Sequence, residues 1–521
     1  MLDVKTVRFI ISGLVRYAIG LNVSLGSHKK VVWTTFLLII LAFSATSVSF
    51  GFQRSSTISS SGMISYWPRV DVTINVSKII GVNNLTLGFQ LDWDRWKTFL
   101  DRSVQQQLAM DAGFGLVRVV DFRPTNPRLM PCTYWNETSK TGVWSWTYVD
   151  ALTRKIFEIG AEPLFCLGWA RENIQNYIPP GMAVNPVTLL PYPESYAAYA
   201  SEWVKHFKQL GLPVRFYQIM NEPFAYFGWN AENMTRLGYF VELWNVVARA
   251  MRQQNPNIFL SHDAITQKKV FDYWISYGDD IDFLDFHKYD ADTIEKYSDA
   301  EMFRRAEIRG FKDVSWSALY SIETARQKWF SARGKWLPAI ISESNFNSAW
   351  ETGTDPKIQQ MAGAVWLSLV LRSGIINGLD YYVYFEFMSS KSWELANRPS
   401  GGYGFGMINS DDNKPWYPYC VHDMIGSNLA TGDKLIEVKS PSDDVQCVAW
   451  VHGGKLNVIL ICKVSENRTV TFQGINGQAQ VLWIDNEITY ETPRIQNNEF
   501  DLADPLILKG YTVALLQMQL G

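Results

Sequence analysis

The stretch Val214–Pro223, VRFYQIMNEP, carries two pieces of information. Its apolar and aromatic residues have the composition of a short strand buried on both faces, and Pro223 cannot extend a strand ladder, so the run ends at Asn221 and Glu222. Seven other runs share this character. They are LTLGFQL from 85, LVRVV from 116, PLFCLG from 163, IFLSHD from 258, IDFLDFH from 281, PAIISE from 338 and LDYYVYFE from 379. Segments of helical period lie between them, including Asp101 to Ala112, Trp146 to Glu158, Pro193 to Lys208, Tyr239 to Gln253 and Asp355 to Leu371. Near-continuous apolar strands alternating with helices predict a parallel sheet covered on both faces. Eight such units close one barrel, so residues 85–428 are expected to form an α/β domain, a (β/α)8 TIM barrel. A doubly wound open sheet is the rival fold. It is disfavoured because no Gly-x-Gly-x-x-Gly turn follows the first run and because polar residues gather at the ends of many runs.

In barrels the reactive groups sit at the carboxyl ends of the strands. Glu222 ends the fourth run and Glu343 ends the seventh, so two carboxylates are expected to face one cavity. Cleavage of a glycosidic bond needs that pair: a protonated carboxyl to assist the leaving oxygen, and an ionised one to trap or stabilise the oxocarbenium-like centre. Burial and a charged neighbour are expected to keep Glu222 protonated, while donors around Glu343 keep it ionised. Glu386, near the end of the eighth run, is a competing carboxylate with a less favourable position.

With Asn221-Glu222-Pro223 after run four and Ser342-Glu343-Ser344 at run seven, the chain resembles clan A glycoside hydrolases, and family 39 most closely. The resemblance spans residue 85 to the carboxyl terminus and includes Phe286-His287-Lys288-Tyr289 and Gly404-Phe405-Gly406-Met407-Ile408-Asn409. It implies a retaining enzyme with Glu222 as acid/base and Glu343 as nucleophile, acting on β-linked oligo- or polysaccharides or their stereochemical equivalent, without cofactor or metal. It further implies that Asn221 meets the sugar 2-hydroxyl and that His287 and Tyr289 orient the nucleophile. Arg118, in the second run, is placed to pair with Glu343. Trp169, Trp229 and Tyr384 stand at or just past strand ends and are candidates for a stacking floor under a pyranose ring. A long insertion at about residues 290 to 337 is expected to wall the cleft and favour short substrates.

Composition agrees with a neutral partner. Charged residues make up 19% and the net charge is −3, with no long basic run after residue 54, which removes nucleic acid as a partner. Aromatic residues reach 14%, with 21 Trp and 24 Tyr, which suits recognition of sugar C–H surfaces as well as a large core. At the amino end, a basic region at 1–30 precedes the uncharged stretch 31–50, VVWTTFLLIILAFSATSVSF, which reads as either a cleaved signal peptide or a membrane anchor. A Ser-rich linker at 51–67 follows. Both readings place the remainder outside the cytoplasm, secreted or anchored to the outer face of the membrane. Sequons at Asn75, Asn84, Asn136, Asn233 and Asn467 fit that compartment. Five cysteines are too few for a disulfide framework, although Cys447 and Cys462 are candidates to lie across a hairpin.

After about residue 430 the pattern changes to short alternating strands with Gly453 and Gly454 at a turn, so residues 429–521 are expected to form an accessory antiparallel β-sandwich, joined by a strand from 68–84. Two rival functions are a cell-surface carbohydrate-binding protein on an inactive barrel and a metal-dependent barrel hydrolase. The intact glutamate pair opposes the first. The second lacks ligands, because His262-Asp263 and His287 stand alone and run one offers Phe89-Gln90-Leu91 in place of a His-x-His pair.

Overall fold

The computed structural model describes residues 67–520 except 93–94, 121–129, 172–173, 313–317, 352, 400 and 488–492. The amino-terminal basic region, the apolar stretch 31–50 and nearly all of the Ser-rich segment therefore lie outside the described residues. No helix among the described residues is long and apolar enough to cross a membrane.

Eight parallel strands form the barrel: β1 (Thr86–Leu91), β2 (Leu116–Val119), β3 (Glu162–Cys166), β4 (Phe216–Gln218), β5 (Phe259–Ser261), β6 (Leu284–Tyr289), β7 (Ala339–Asn345) and β8 (Tyr381–Tyr384). Their ladder runs β5-β4-β3-β2-β1-β8-β7-β6. The β5–β6 seam is tied by the Asp282 N–H donating to Leu260 O at 2.9 Å and by Ser261 Oγ donating to Phe283 O at 2.6 Å. Strand alternation sorts the interior into layers. Leu116, Leu164, Phe216, Phe283, Ile340 and Val383 fill the lower interior as one apolar cluster. Two residues further along their strands, Arg118, Gln218, Asp285 and Ser342 point into the same interior and make its upper layer polar, with Gln90 of β1 beside them. Gly88 of β1 lies so close to β2 that a Cβ there would stand 2.6 Å from Leu116 O. Apolar residues on the strands' outer faces pack under the surrounding helices in the main core.

The accessory domain is built from one nine-stranded sheet. Its order is 496–501, 478–484, 513–519, 455–462, 445–452, 434–439, 69–82, 468–473 and 506–508. The strand Arg69–Val82 pairs antiparallel with Lys434–Lys439 and parallel with Arg468–Gln473, the one parallel pairing in this sheet among the described residues. The two edge strands are separated by only residues 502–505, a reach of roughly 17 Å. A flat sheet of nine strands would be about 38 Å wide, so this one rolls up, and Val70, Val72, Val458, Leu460 and Leu516 meet inside it. In the hairpin of residues 445–462, Cys447 faces Leu460 and Cys462 faces Val445, so the two cysteines stand diagonally rather than opposite. All five cysteines are free and buried.

Candidate active site

Glu222 is set in place by its backbone as much as by its strand. Met220 has φ 66° and Glu222 has φ 45°, left-handed conformations that disfavour residues with a Cβ. The Glu222 N–H donates to Asp263 Oδ2 at 2.9 Å, which holds this turn at the end of β4. Asn221 N–H donates to Gly168 O at 2.8 Å and Trp169 bridges Asn221, so β3 continues to support the chain after β4 has ended. Gly168 has φ 104°, which lets that support form.

Glu343 arrives by a different device. Between Ile341 and Glu343 the pairing of β7 with β6 shifts register, so Ser342 and Glu343, although consecutive, both reach the interior. Arg118 Nη1 donates to Glu343 Oε2 at 2.6 Å, and Tyr289 Oη donates to Oε1 at 2.6 Å. Burial alone would raise this carboxyl, but the charges of His287 and Arg118 and the bond from Tyr289 hold it below the usual carboxylate range. That direction favours its ionised form.

His287 joins the acidic groups. Its Nδ1 lies 3.3 Å from Glu222 Oε1 and 3.8 Å from Glu343 Oε1, and its Nε2 lies 3.0 Å from Asp263 Oδ2. Burial works against its charge, yet Glu343 and Asp263 raise its pKa well above that of an ordinary histidine. Asp263 is buried but held low by His287 and Arg118, while Asp285, below it in the barrel, is pushed up to about 6 by burial and by Asp263. Arg118 is fully enclosed. It also donates to Gln218 at 2.7 Å, Gln90 at 2.5 Å and Asn221 Oδ1 at 2.5 Å, so one guanidinium fixes four side chains from three strands, β1, β4 and β7.

The carboxylates of Glu222 and Glu343 and the His287 ring have ligand atoms all within 4.8 Å of one another. Both Glu343 oxygens already accept from Tyr289 and Arg118, His287 Nε2 lies against Asp263, and the charge that Glu343 and Asp263 favour on the imidazole leaves it no lone pair for a metal, so the donor set fits an ion poorly. The two carboxylates face a cavity of ≈ 390 Å³ that Trp169, Arg171, Tyr177, Asn221, Tyr289 and Phe385 also line. Burial does not single out Glu222, whose side chain is 19% exposed against 9% for Glu343. Glu222 also lies 3.5 Å from Arg171 Nη2.

Among the candidates for a stacking floor, Trp169 lines the cavity, with the Arg171 guanidinium 3.4 Å above its ring. Tyr384 does not line it. It is 1% exposed and faces His422 on the outer side of β8, while the next residue, Phe385, faces the cavity, as strand alternation requires. Trp229 is also outside the lining. The helical turn Phe224–Phe227 and Gly228 carry it off the rim, where it packs on Phe224 with ring centroids 5.0 Å apart. Nor does any described residue of segment 290–337 line the cavity. Its helices Asp299–Ile308 and Ile322–Arg333 bury Phe303 and Trp329 in the outer shell, and the walls come instead from Ser348 and Trp350 after β7 and from Glu386, Trp393, Glu394 and Arg398 after β8.

Sequence reasoning missed Asp263 as the partner of His287, and it missed Gln90, Gln218 and Asp285 beneath the site. Their signal was available: each is a polar residue near the end of an otherwise apolar run.

No protein-family model and no curated protein matches the chain. Solved structures do. A family 39 β-xylosidase from Caulobacter crescentus superposes with a TM-score of 0.59 at 14% identity, covering 86% of this chain and 99% of that one. A family 51 α-L-arabinofuranosidase from Thermotoga petrophila RKU-1 gives 0.60 at 12% identity, with 86% and 100% covered. A family 30 endoxylanase from Clostridium papyrosolvens C71 gives 0.54 at 13%, with 86% and 100% covered. The fold is therefore the barrel-plus-β-domain architecture of these glycosidases, in keeping with the family 39 resemblance drawn from Asn221-Glu222-Pro223.

Proposed function

We propose that the protein is a retaining glycoside hydrolase in which Glu343 is the nucleophile and Glu222 the acid/base, cleaving β-type linkages of oligo- or polysaccharides. The observation that carries this reading is the approach of the Glu222 and Glu343 carboxylates to within 4.8 Å at their nearest atoms, across a cavity. That approach favours direct attack on an anomeric carbon, for which carboxyl groups stand about 5–5.5 Å apart, over the roughly 6.5–9.5 Å separation that admits the intervening water of an inverting enzyme.

In the first step the ionised Glu343 attacks the anomeric carbon while Glu222 gives its proton to the departing oxygen. In the second, Glu222 takes a proton from water, which releases the sugar from Glu343 with its original configuration. Arg118 and Tyr289 hold the nucleophile in one orientation without blocking both lone pairs of either oxygen. Asn221 has its oxygen committed to Arg118, which leaves Nδ2 as a donor for the sugar 2-hydroxyl. Exposure of Asn75, Asn84, Asn136 and Asn233 at sequons supports action outside the cytoplasm.

Glu343→Ala is expected to lose turnover of aryl glycosides by about 10⁴-fold or more and to regain part of it in azide, yielding a glycosyl azide of inverted configuration. NMR of the product anomers from a panel of aryl glycosides supplies the stereochemistry. A folded variant with no azide product, or inverted products from the wild type, would overturn the assignment.

A further inference from the structure

Three arginines line the catalytic cavity, Arg95, Arg171 and Arg398. Two of them meet carboxylates outside the proposed reaction, Arg95 with Glu386 and Arg398 with Glu394, each at 3.2 Å. Arg171 meets the acid/base instead. Its Nη2 stands 3.5 Å from Glu222 Oε2, the far limit of a hydrogen bond, and its Nε has no acceptor among the described residues. A guanidinium is always charged, so once Glu222 carries the proton that the first step consumes, Arg171 is a cation with no counter-charge among the described residues.

This cation is held in place without being satisfied. Trp169 is bridged to Asn221 just after β4, Tyr177 packs on its ring with centroids 5.3 Å apart, and the Arg171 guanidinium lies 3.4 Å from the centre of that ring. Stacking fixes the plane of the guanidinium but uses none of its five N–H donors. The side chain is 36% exposed, so donors remain within reach of a bound molecule. A wall that reads in the sequence as a bare ring thus offers the cavity a flat, oriented cation, whose shape a carboxylate matches with two parallel hydrogen bonds. The net charge of −3 bears on long-range capture, whereas a single carboxylate needs one cation at one place.

The two oxygens of Glu222 say which part of a substrate meets this cation. His287 Nδ1 faces Oε1 at 3.3 Å, and an imidazolium there donates to it, so the proton for the leaving oxygen sits on Oε2. Oε2 is the atom beside Arg171. The departing oxygen therefore comes to Oε2, and a carboxyl group carried by the departing ring falls within reach of Nη2. We propose that Arg171 is a specificity-determining residue that binds a carboxylate on the departing part of the substrate, so that the enzyme cuts where an acidic sugar, such as a uronic acid, follows the scissile bond.

This inference rests on the glycosidase reading and is tested so that the two can fail separately. The probes are 3-carboxyphenyl and 3-carbamoylphenyl glycosides of the β-xylo-, gluco-, manno- and galacto-series, which match in shape and differ in charge. The neutral amide withdraws electrons at least as strongly, so leaving ability alone does not favour the acid. Wild-type kcat/KM is expected to be about tenfold or more higher for the carboxyphenyl member, and that advantage is expected to shrink as salt is raised. Arg171→Met, which keeps an unbranched stem against Trp169 and removes the charge, is expected to bring the ratio close to one, and Arg171→Lys to retain part of it. A ratio near one in the wild type overturns the proposal, and so does a preference that survives in folded Arg171→Met. If the wild type hydrolyses neither member of any series, calorimetry decides, with disaccharides of each series ending in glucuronic acid or in glucose. Tighter binding of the acidic disaccharide that is lost in Arg171→Met would sink the hydrolase reading and leave the carboxylate site standing, whereas equal binding, or none, would overturn the site.

Discussion

Each oxygen of Glu343 receives one short hydrogen bond, from Tyr289 on one side and Arg118 on the other, and the two donors are of different kinds. Arg118 cannot be removed cleanly, because it also anchors Gln90, Gln218 and Asn221. Tyr289 can be. Its hydroxyl has Glu343 as partner, and its ring packs near Phe385, so Tyr289→Phe deletes a donor while keeping the packing. A hydrogen bond to a charged group is worth about 1.5–3 kcal/mol, and about 1.4 kcal/mol corresponds to one pH unit. The native carboxyl is held low, so losing a donor raises its pKa, and protonation then stops the reaction at a higher pH on the acid side. The acid limb of the kcat/KM profile is therefore expected to move up by about one unit in Tyr289→Phe. An unmoved limb would show that some other group sets it.

At the scale of strands and helices, every run read as a barrel strand is one, and the helix candidates fall on helices at 103–111, 147–158, 193–209, 234–254 and 361–376. Those elements were legible because burial on both faces forces continuous apolar composition, which turn residues interrupt. What composition does not carry is facing. Tyr384 and Phe385 are both aromatic, and only the pleat decides which of them meets a substrate. Glu343 was expected at the cavity, but the register shift between β6 and β7 that turns it inward beside Ser342 left no mark in the composition. The cleft walls were misplaced for a related reason: length between strands six and seven was visible, but its helices are consumed in covering the barrel. The assignment of faces has a direct test. Phe385→Ala is expected to lower kcat/KM on aryl glycosides about tenfold with a modest loss of stability. Tyr384→Ala, which empties a site between β8 and the helix Tyr417–Gly426, is expected to cost about 3–5 kcal/mol. Denaturant titration and kinetics on the two variants compare them, and equal effects on both quantities would mean the faces are wrongly assigned.

The whole molecule is held together across the boundary between barrel and β domain. One face of the rolled sheet closes on its own interior, but the other face, with Val448, Trp450, Ile459, Ile461, Val513 and Leu515, belongs to the main core of the barrel. The helix Met361–Ile376 lies between them and buries 14 of its 16 residues, so along nearly all its length it needs covering on both sides. Arg372, one of two exceptions on that helix with the terminal Ile376, donates to Cys447 O at 2.9 Å and lies 3.5 Å from Glu307, which Lys463 meets at 2.9 Å. Trp450 is fully enclosed and donates from Nε1 to Asn428 O at 2.6 Å, tying the sheet to the chain just after the last barrel helix. A barrel stripped of the sheet would expose this helix, so the two parts are expected to unfold as one unit. Trp450→Ala should then destabilise the entire protein by about 3–5 kcal/mol, although the residue is remote from Glu222 and Glu343. Near-ultraviolet circular dichroism and residual activity, followed through the same denaturant series, are expected to fall together at a lower midpoint than in the wild type. Two separated transitions, with activity surviving the first, would mean that the barrel stands alone and that the shared core is packing without cooperation.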